Sequence, residues 1–172
     1  MFLTEYEWSI ILLSLKIGGV AVIASLPFGI LFAWILARKE FTGKTILDSI
    51  INLPLVLPPV VIGYLLLITM GKRGYIGQWL DQVLGISFSF NWKGAALASA
   101  VVSFPLLVRA IRISFESIDQ NLEFAARSLG ASRIRMFVTV TLPLAMPGII
   151  AGIVLAFARS LGEFGATITF VS

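Results

Sequence analysis

Apolar runs long enough to cross a bilayer leave this chain few alternatives to a membrane fold. A hydrocarbon core ~30 Å thick needs ~20 residues of helix. Ile17 to Ala37, Ser49 to Met70 and Phe137 to Ala158 meet that length, and Gly94 to about Val108 reaches it by extension through Arg109 and Arg112. With 58% hydrophobic residues, 13% charged residues and a mean hydropathy of +0.98, the 172 residues carry more apolar surface than one soluble core could bury. The expected fold class is an all-α integral membrane protein, a polytopic helical bundle. A single transmembrane domain is expected over 1–172, with spans at about 17–37, 49–70, 94–112 and 137–158.

The chain has no Cys and no His, which excludes disulfide frameworks, thiolate nucleophiles, His-based metal sites and His general bases. The start, MFLTEYEWS, is acidic and lacks the basic segment and small-residue cleavage site of a secretory signal, so the first run is expected to stay as a span. The net charge of +4 reads as orientation in the bilayer rather than affinity for nucleic acid. With the N-terminus outside, the cytoplasmic loops hold Arg38, Lys39, Lys44, Arg109, Arg112, Arg127, Arg133 and Arg135, against Lys72, Arg73 and Lys93 outside. That excess of cations places the loop 116–136 in the cytoplasm. Lys16 is expected to snorkel to the outer rim. In the outer loop, Tyr75, Ile76, Trp79, Leu80, Val83 and Leu84 make one apolar helical face, which predicts a helix lying in the outer interface.

Prolines interrupt the spans at positions 27, 54, 58, 59, 105, 143 and 147. Each removes a backbone donor, so the broken turn must be satisfied by neighbouring helices or a wet cavity. The cluster Pro54, Pro58 and Pro59 predicts a bend beside a transport pathway. Arg159 and Glu163 lie one turn apart in FARSLGEFGATITF, where two readings stand. They form an ion pair that reduces the cost of charge at membrane depth, or Arg159, with Ser160, Gly162 and Gly165, lines a route for an anion.

Residues 116–136 carry a different signal. Ser117 with Gln120 fits a capping box, Asp119 offers another N-cap, and Gly130 can end the helix in a left-handed conformation. The helix between is too short to be stable alone in water, so it needs a docking surface. Leu122, Ala125, Ala126 and Leu129 share one face, while Glu123 and Arg127 are spaced for an i, i+4 pair. Ala125-Ala126 is followed after three residues by Gly130, after nine more by Val140, and after one more by Leu142-Pro143.

This spacing resembles the EAA loop of the permeases of ATP-binding-cassette (ABC) importers, with Phe124 at the position of the motif's Glu, Glu123 one place earlier and Val140 in place of Ile. Further likeness to the permeases of bacterial molybdate importers runs through LPLVLPPVVIGYLLL, SFPLLVRAIR and ARSLGEFGATITFV. The resemblance implies a helical bundle of the ABC importer permease type in the bacterial inner membrane. It implies that Leu122, Glu123, Ala125, Ala126, Arg127, Leu129 and Gly130 form a coupling helix docked on an ATP-binding subunit. The implied partners are two copies of that subunit, a second copy of this chain and a periplasmic molybdate-binding protein, besides membrane lipid. No nucleic acid partner is implied. ATP and Mg would sit on the partner, with no cofactor on this chain. Family members continue past the equivalent of Val171 into at least one more span, so a C-terminal part of the family domain is expected to be missing here.

Gly43-Lys44-Thr45 does not make a phosphate loop, because the Gly required five positions earlier is Arg38. No paired carboxylates or nucleophile–base set suggests catalysis, so a transport subunit rather than an enzyme is expected. The leading expectation is a molybdate permease. The alternatives are a permease for sulfate, tungstate or another oxyanion and, in a different class, a self-contained channel or secondary transporter. The last would place coupling-ion residues at mid-membrane and often show repeats, neither of which is evident.

Overall fold

A computed structural model describes residues 5–70, 74, 77, 78, 82 and 91–171, with 5, 6 and 163–171 as backbone only. Helix α1 runs Glu5–Arg38, α2 Lys44–Val56, α3 Pro59–Met70 and α4 Trp92–Ser117. After these come α5 (Gln120–Ser128), α6 (Arg133–Met136), a π-helical turn (Phe137–Thr141), α7 (Leu142–Leu144) and α8 (Met146–Val171). The residues predicted to form an outer interfacial helix lie outside the described set.

Among the described residues two helices, Glu7–Arg38 and Trp92–Ser117, are each long and apolar enough to cross a membrane unbroken. The other two predicted spans are bent pairs. Helices α2 and α3 meet at 114°, and Arg133–Leu144 meets Met146–Gly162 at 65°. The first break has a local cause: Leu57 is extended (φ −76°, ψ 137°), the conformation that a following proline favours, and Pro59 then opens α3. Near the second, Pro143 and Pro147 have no N–H to return to the carbonyls four residues back, and the π turn precedes them.

The core lies where α1, α4 and α8 pack together. Ala33, Leu36, Leu107, Ile111, Phe115, Ala145 and Ala156 are fully enclosed there. Lipid tails are as apolar as leucine, so such helices associate through close packing, which small residues permit. Gly148 is the sharpest case. A Cβ there would collide with Ser114 Cβ and come within 3.0 Å of the Ala110 carbonyl. Outward-facing Leu12, Ile23 and Phe28 on α1, and Val154 on α8, remain exposed. At the other end of the bundle Lys16 Nζ lies 4.4 Å from the centroid of the Trp92 ring, a cation–π contact consistent with both residues sitting at the outer interface.

The packing argument yields a stability prediction. Gly148→Ala should destabilise the folded chain by about 1–3 kcal/mol, the usual cost of overpacking. Gly19→Ala, whose added methyl meets nothing within 4 Å, should be nearly neutral. Thermal unfolding in detergent compares the two variants directly, and equal melting temperatures would show that α4 and α8 do not touch at Gly148.

Candidate functional site: a surface helix seated on the bundle

Helix α5 owes its ends to side-chain and backbone caps. Asp119 Oδ1 accepts from the Asn121 N–H at 2.9 Å, as expected. Ser117 does not cap, because α4 continues through it and its hydroxyl donates to the Ser114 carbonyl. At the other end Gly130 has φ +87°, its N–H donates to the Arg127 carbonyl and the Ala131 N–H to the Ala126 carbonyl. That pair of bonds is a Schellman motif, and it needs the left-handed residue that glycine supplies without strain.

Glu123 seats the helix. Its Oε1 accepts from Arg38 Nη2 at 3.0 Å and from the Thr141 hydroxyl at 2.9 Å. The same Arg38 nitrogen donates to the Ile118 carbonyl at 3.2 Å. The Arg38 and Glu123 side chains are only 8% and 15% exposed, and Thr141 is fully buried. The end of α1, the end of α4, helix α5 and the π turn therefore meet at one carboxylate. This corrects the local reading of the sequence: Glu123 pairs with Arg38 and not with Arg127, because its face of α5 turns toward the bundle.

The opposite face is open. Leu122 is 48% exposed and Leu129 89% exposed, with Ala125 exposed beside them. Ala126 is half-buried, so it belongs more to the seat than to the outer face on which it was expected. No residue of α5 is buried, although the helix is amphipathic. Such a helix ordinarily covers its apolar face.

The residues predicted to line a pathway fall into two groups. Pro54 lies within α2, and Pro58 and Pro59 lie at the break before α3. Arg159, Ser160, Gly162, Glu163 and Gly165 lie on α8. Both groups sit on elements that pack against α4, and the structure does not pack one group substantially against the other. Ser160 is buried, hydrogen-bonded to Ser99 of α4 and close to Gly18 of α1, which makes it a helix-packing residue here. The side chain of Glu163 lies outside the described set, so the predicted Arg159–Glu163 pair does too.

A second polar cluster ties α2 to α4. Arg112 binds Asp48 at 3.2 Å and Glu116 at 2.7 Å beside a cavity of about 420 Å³ that Asn52 and Arg109 also line. The sequence showed these cations only as orientation signals.

The described residues form a bundle of continuous and broken apolar helices that presents a capped, half-seated surface helix. The family model for the inner membrane component of binding-protein-dependent transport systems matches residues 25–172, and the chain belongs to that family. Two similar relatives are the molybdenum transport system permease proteins ModB of Escherichia coli (strain K12) and of Haemophilus influenzae. The first is 65% identical over 172 residues, covering 100% of this chain and 75% of the relative. The second is 63% identical over 166 residues, covering 96% and 72%. The sulfate transport system permease protein CysT of E. coli is 42% identical over 149 residues, covering 87% of this chain and 53% of its own. A solved amino acid ABC transporter structure superposes with a TM-score of 0.62 at 22% identity, covering 100% of this chain and 78% of that one, which supports the fold. The chain is thus an all-α inner membrane permease component, and its relatives are transport subunits rather than enzymes. Membership implies an ATP-binding subunit and a substrate-binding protein as partners.

The seat gives a second prediction. Glu123→Ala should destabilise by about 3–5 kcal/mol, because it leaves Arg38 buried and unpaired. The double variant Arg38→Met, Glu123→Leu removes both charges and should recover much of that loss. Thermal unfolding of the single and double variants measures the coupling, and strict additivity would show that the contact carries no energy.

Proposed function

We propose that this chain is the permease subunit of an ABC importer that carries molybdate across the cytoplasmic membrane. In this reading ATP is hydrolysed, with Mg, on a separate ATP-binding subunit, and this chain binds no cofactor. Two copies of the chain, two ATP-binding subunits and a periplasmic molybdate-binding protein make up the working system. The observation that carries the mechanism is the division of α5 into a bonded face and an open one. Glu123 fixes the helix to the bundle, while Leu122, Ala125 and Leu129 lie uncovered where a partner's cleft would receive them. The substrate rests on relatives 65% and 63% identical to this chain, which are named for molybdenum transport, whereas the sulfate permease protein of E. coli is 42% identical.

In this reading ATP-driven movement of the partner acts on α5 and passes through Glu123 to α1 and the π turn. The bends at Leu57–Pro58 and at Ala145 would then be the places where the spans give. Pro54, Pro58, Pro59 and Arg159 remain our proposed pathway residues, and Gly162, Glu163 and Gly165 continue that stretch of α8. Selection among oxyanions would fall mainly to the delivering protein. An enclosed site that contacts each oxygen exploits small differences in anion size better than an open route does.

Two measurements test the reading. Leu129→Asp should leave the chain inserted but reduce copurification of the ATP-binding subunit by about tenfold or more, as expected for loss of an interface anchor. Gly130→Val should act similarly, because a β-branched residue is strained at φ +87°. Native copurification and transport in both variants would refute docking through α5. In vesicles holding the whole system, molybdate-loaded binding protein should stimulate ATP hydrolysis far more than sulfate does, and equal stimulation would move the assignment to a sulfate-type permease.

Orientation has its own test. A single cysteine replacing Ser132 should be protected from an impermeant maleimide added to intact cells and labelled after lysis, since the native chain has no Cys. Labelling from outside would reverse the topology.

A further inference from the structure

A cleft of about 640 Å³ opens where α1 meets the loop that carries α5. Its composition is divided. Leu31, Trp34 and Phe137 give it an apolar wall, and Arg38, Lys39, Arg127 and Arg133 line it with charge. Leu31 precedes Arg38 by two turns of helix, so the apolar part lies about 10 Å deeper along α1 than the cationic end.

The charges are unbalanced. The cleft has one carboxylate, Glu123, and Arg38 and Thr141 already occupy it. Lys39, Arg127 and Arg133 form no ion pair among the described residues. Arg38 Nε is buried and has no hydrogen-bond acceptor. A buried donor of this kind costs free energy until an acceptor reaches it. The site therefore combines an apolar wall with a cluster of cations in excess of its one carboxylate, with Lys39 Nζ 5.5 Å from the centroid of the Trp34 ring.

We propose that this cleft binds an anionic phospholipid of the cytoplasmic leaflet. Its acyl chain lies along Leu31 and Trp34, and its phosphate is held among Lys39, Arg127 and Arg133, in the same cleft as the Arg38 whose Nε lacks an acceptor. The inference rests on the membrane orientation given above and not on the identity of the transported anion. It has a consequence for coupling. Lys39 stands at the end of α1 and Arg127 on α5, so a bound phosphate bridges the two elements that the Arg38–Glu123 pair also joins.

The test uses the full chain purified in mild detergent and incubated with equimolar phosphatidylglycerol and phosphatidylcholine, with retained lipid read by native mass spectrometry. Phosphatidylglycerol should be retained at least about tenfold over phosphatidylcholine, since each basic residue near the headgroup contributes about a fivefold preference. Lys39→Gln combined with Arg133→Gln should bring the ratio close to parity, and Arg135→Gln, a control on a residue outside the cleft, should leave it unchanged. Leu31→Trp keeps every charge but fills the apolar wall, and it should lower retention of both lipids. Equal retention of the two lipids by the native chain would overturn the proposal. So would an undiminished preference in the double variant, or a photoreactive group at Ile134 that crosslinks in membranes to a second protein chain and not to lipid. Retention can hold while molybdate fails to stimulate ATP hydrolysis, so the two readings fail separately.

Discussion

The arrangement of this molecule depends on one part-buried carboxylate, that of Glu123. A short helix in water has little stability of its own, and α5 buries no residue of its own. What fixes its position is the set of bonds from Glu123 to Arg38 and Thr141, with Arg38 also holding the Ile118 carbonyl at the end of α4. Taking an ion pair out of water costs nearly as much as its attraction returns, so such pairs add little net stability. Their value lies in geometry. A charged network with few acceptable arrangements positions a helix more sharply than a hydrophobic contact of similar area.

That geometry would mean little on a loose scaffold. The packing of α1, α4 and α8 is tight because glycine and serine occupy the contacts. Gly29 faces Leu107, Gly152 meets the Leu107 carbonyl, and Ser99 bonds Ser160. Ser103 satisfies its buried hydroxyl on its own helix, through the Ser99 carbonyl at 2.8 Å. Buried hydroxyls that bond in this way add no unsatisfied polar group to an apolar interior. The bundle can therefore hold the end of α1 rigidly enough for Arg38 to serve as a fixed point.

The sequence made some of this visible and hid the rest for identifiable reasons. Span existence was legible because hydrophobic runs need only length and composition, and the cap at Asp119 and the left-handed Gly130 were legible because they act within a few residues. The full bend between α2 and α3 was harder to see. Pro58-Pro59 announces a break, but its 114° angle depends on how each half packs. The Arg38–Glu123 pair joins residues 85 apart in sequence, beyond any local rule, and the nearer Arg127 offered a plausible but wrong partner. The contact of Ser160 was hidden for the same reason, since Ser99 lies 61 residues away. A serine beside an arginine in a span suggests a polar route, and here it also satisfies Ser99 within the helix contact.

The position of the breaks gives the fold a mechanical sense. Helices α1 and α4 are continuous over 34 and 26 residues although Pro27 and Pro105 lie inside them. Between α5 and α8 the chain passes through a π turn, Pro143 and Pro147, where backbone bonds are missing or shifted in register. Under the proposed coupling, a force on the open face of α5 would reach both Arg38 at the end of α1 and Thr141 in the π turn, since both contact the same carboxylate. Displacement would accumulate on the side of α8 rather than on α1. A single seat shared by a continuous helix and an interrupted one would, under that coupling, turn a push on the surface helix into relative motion of two spans.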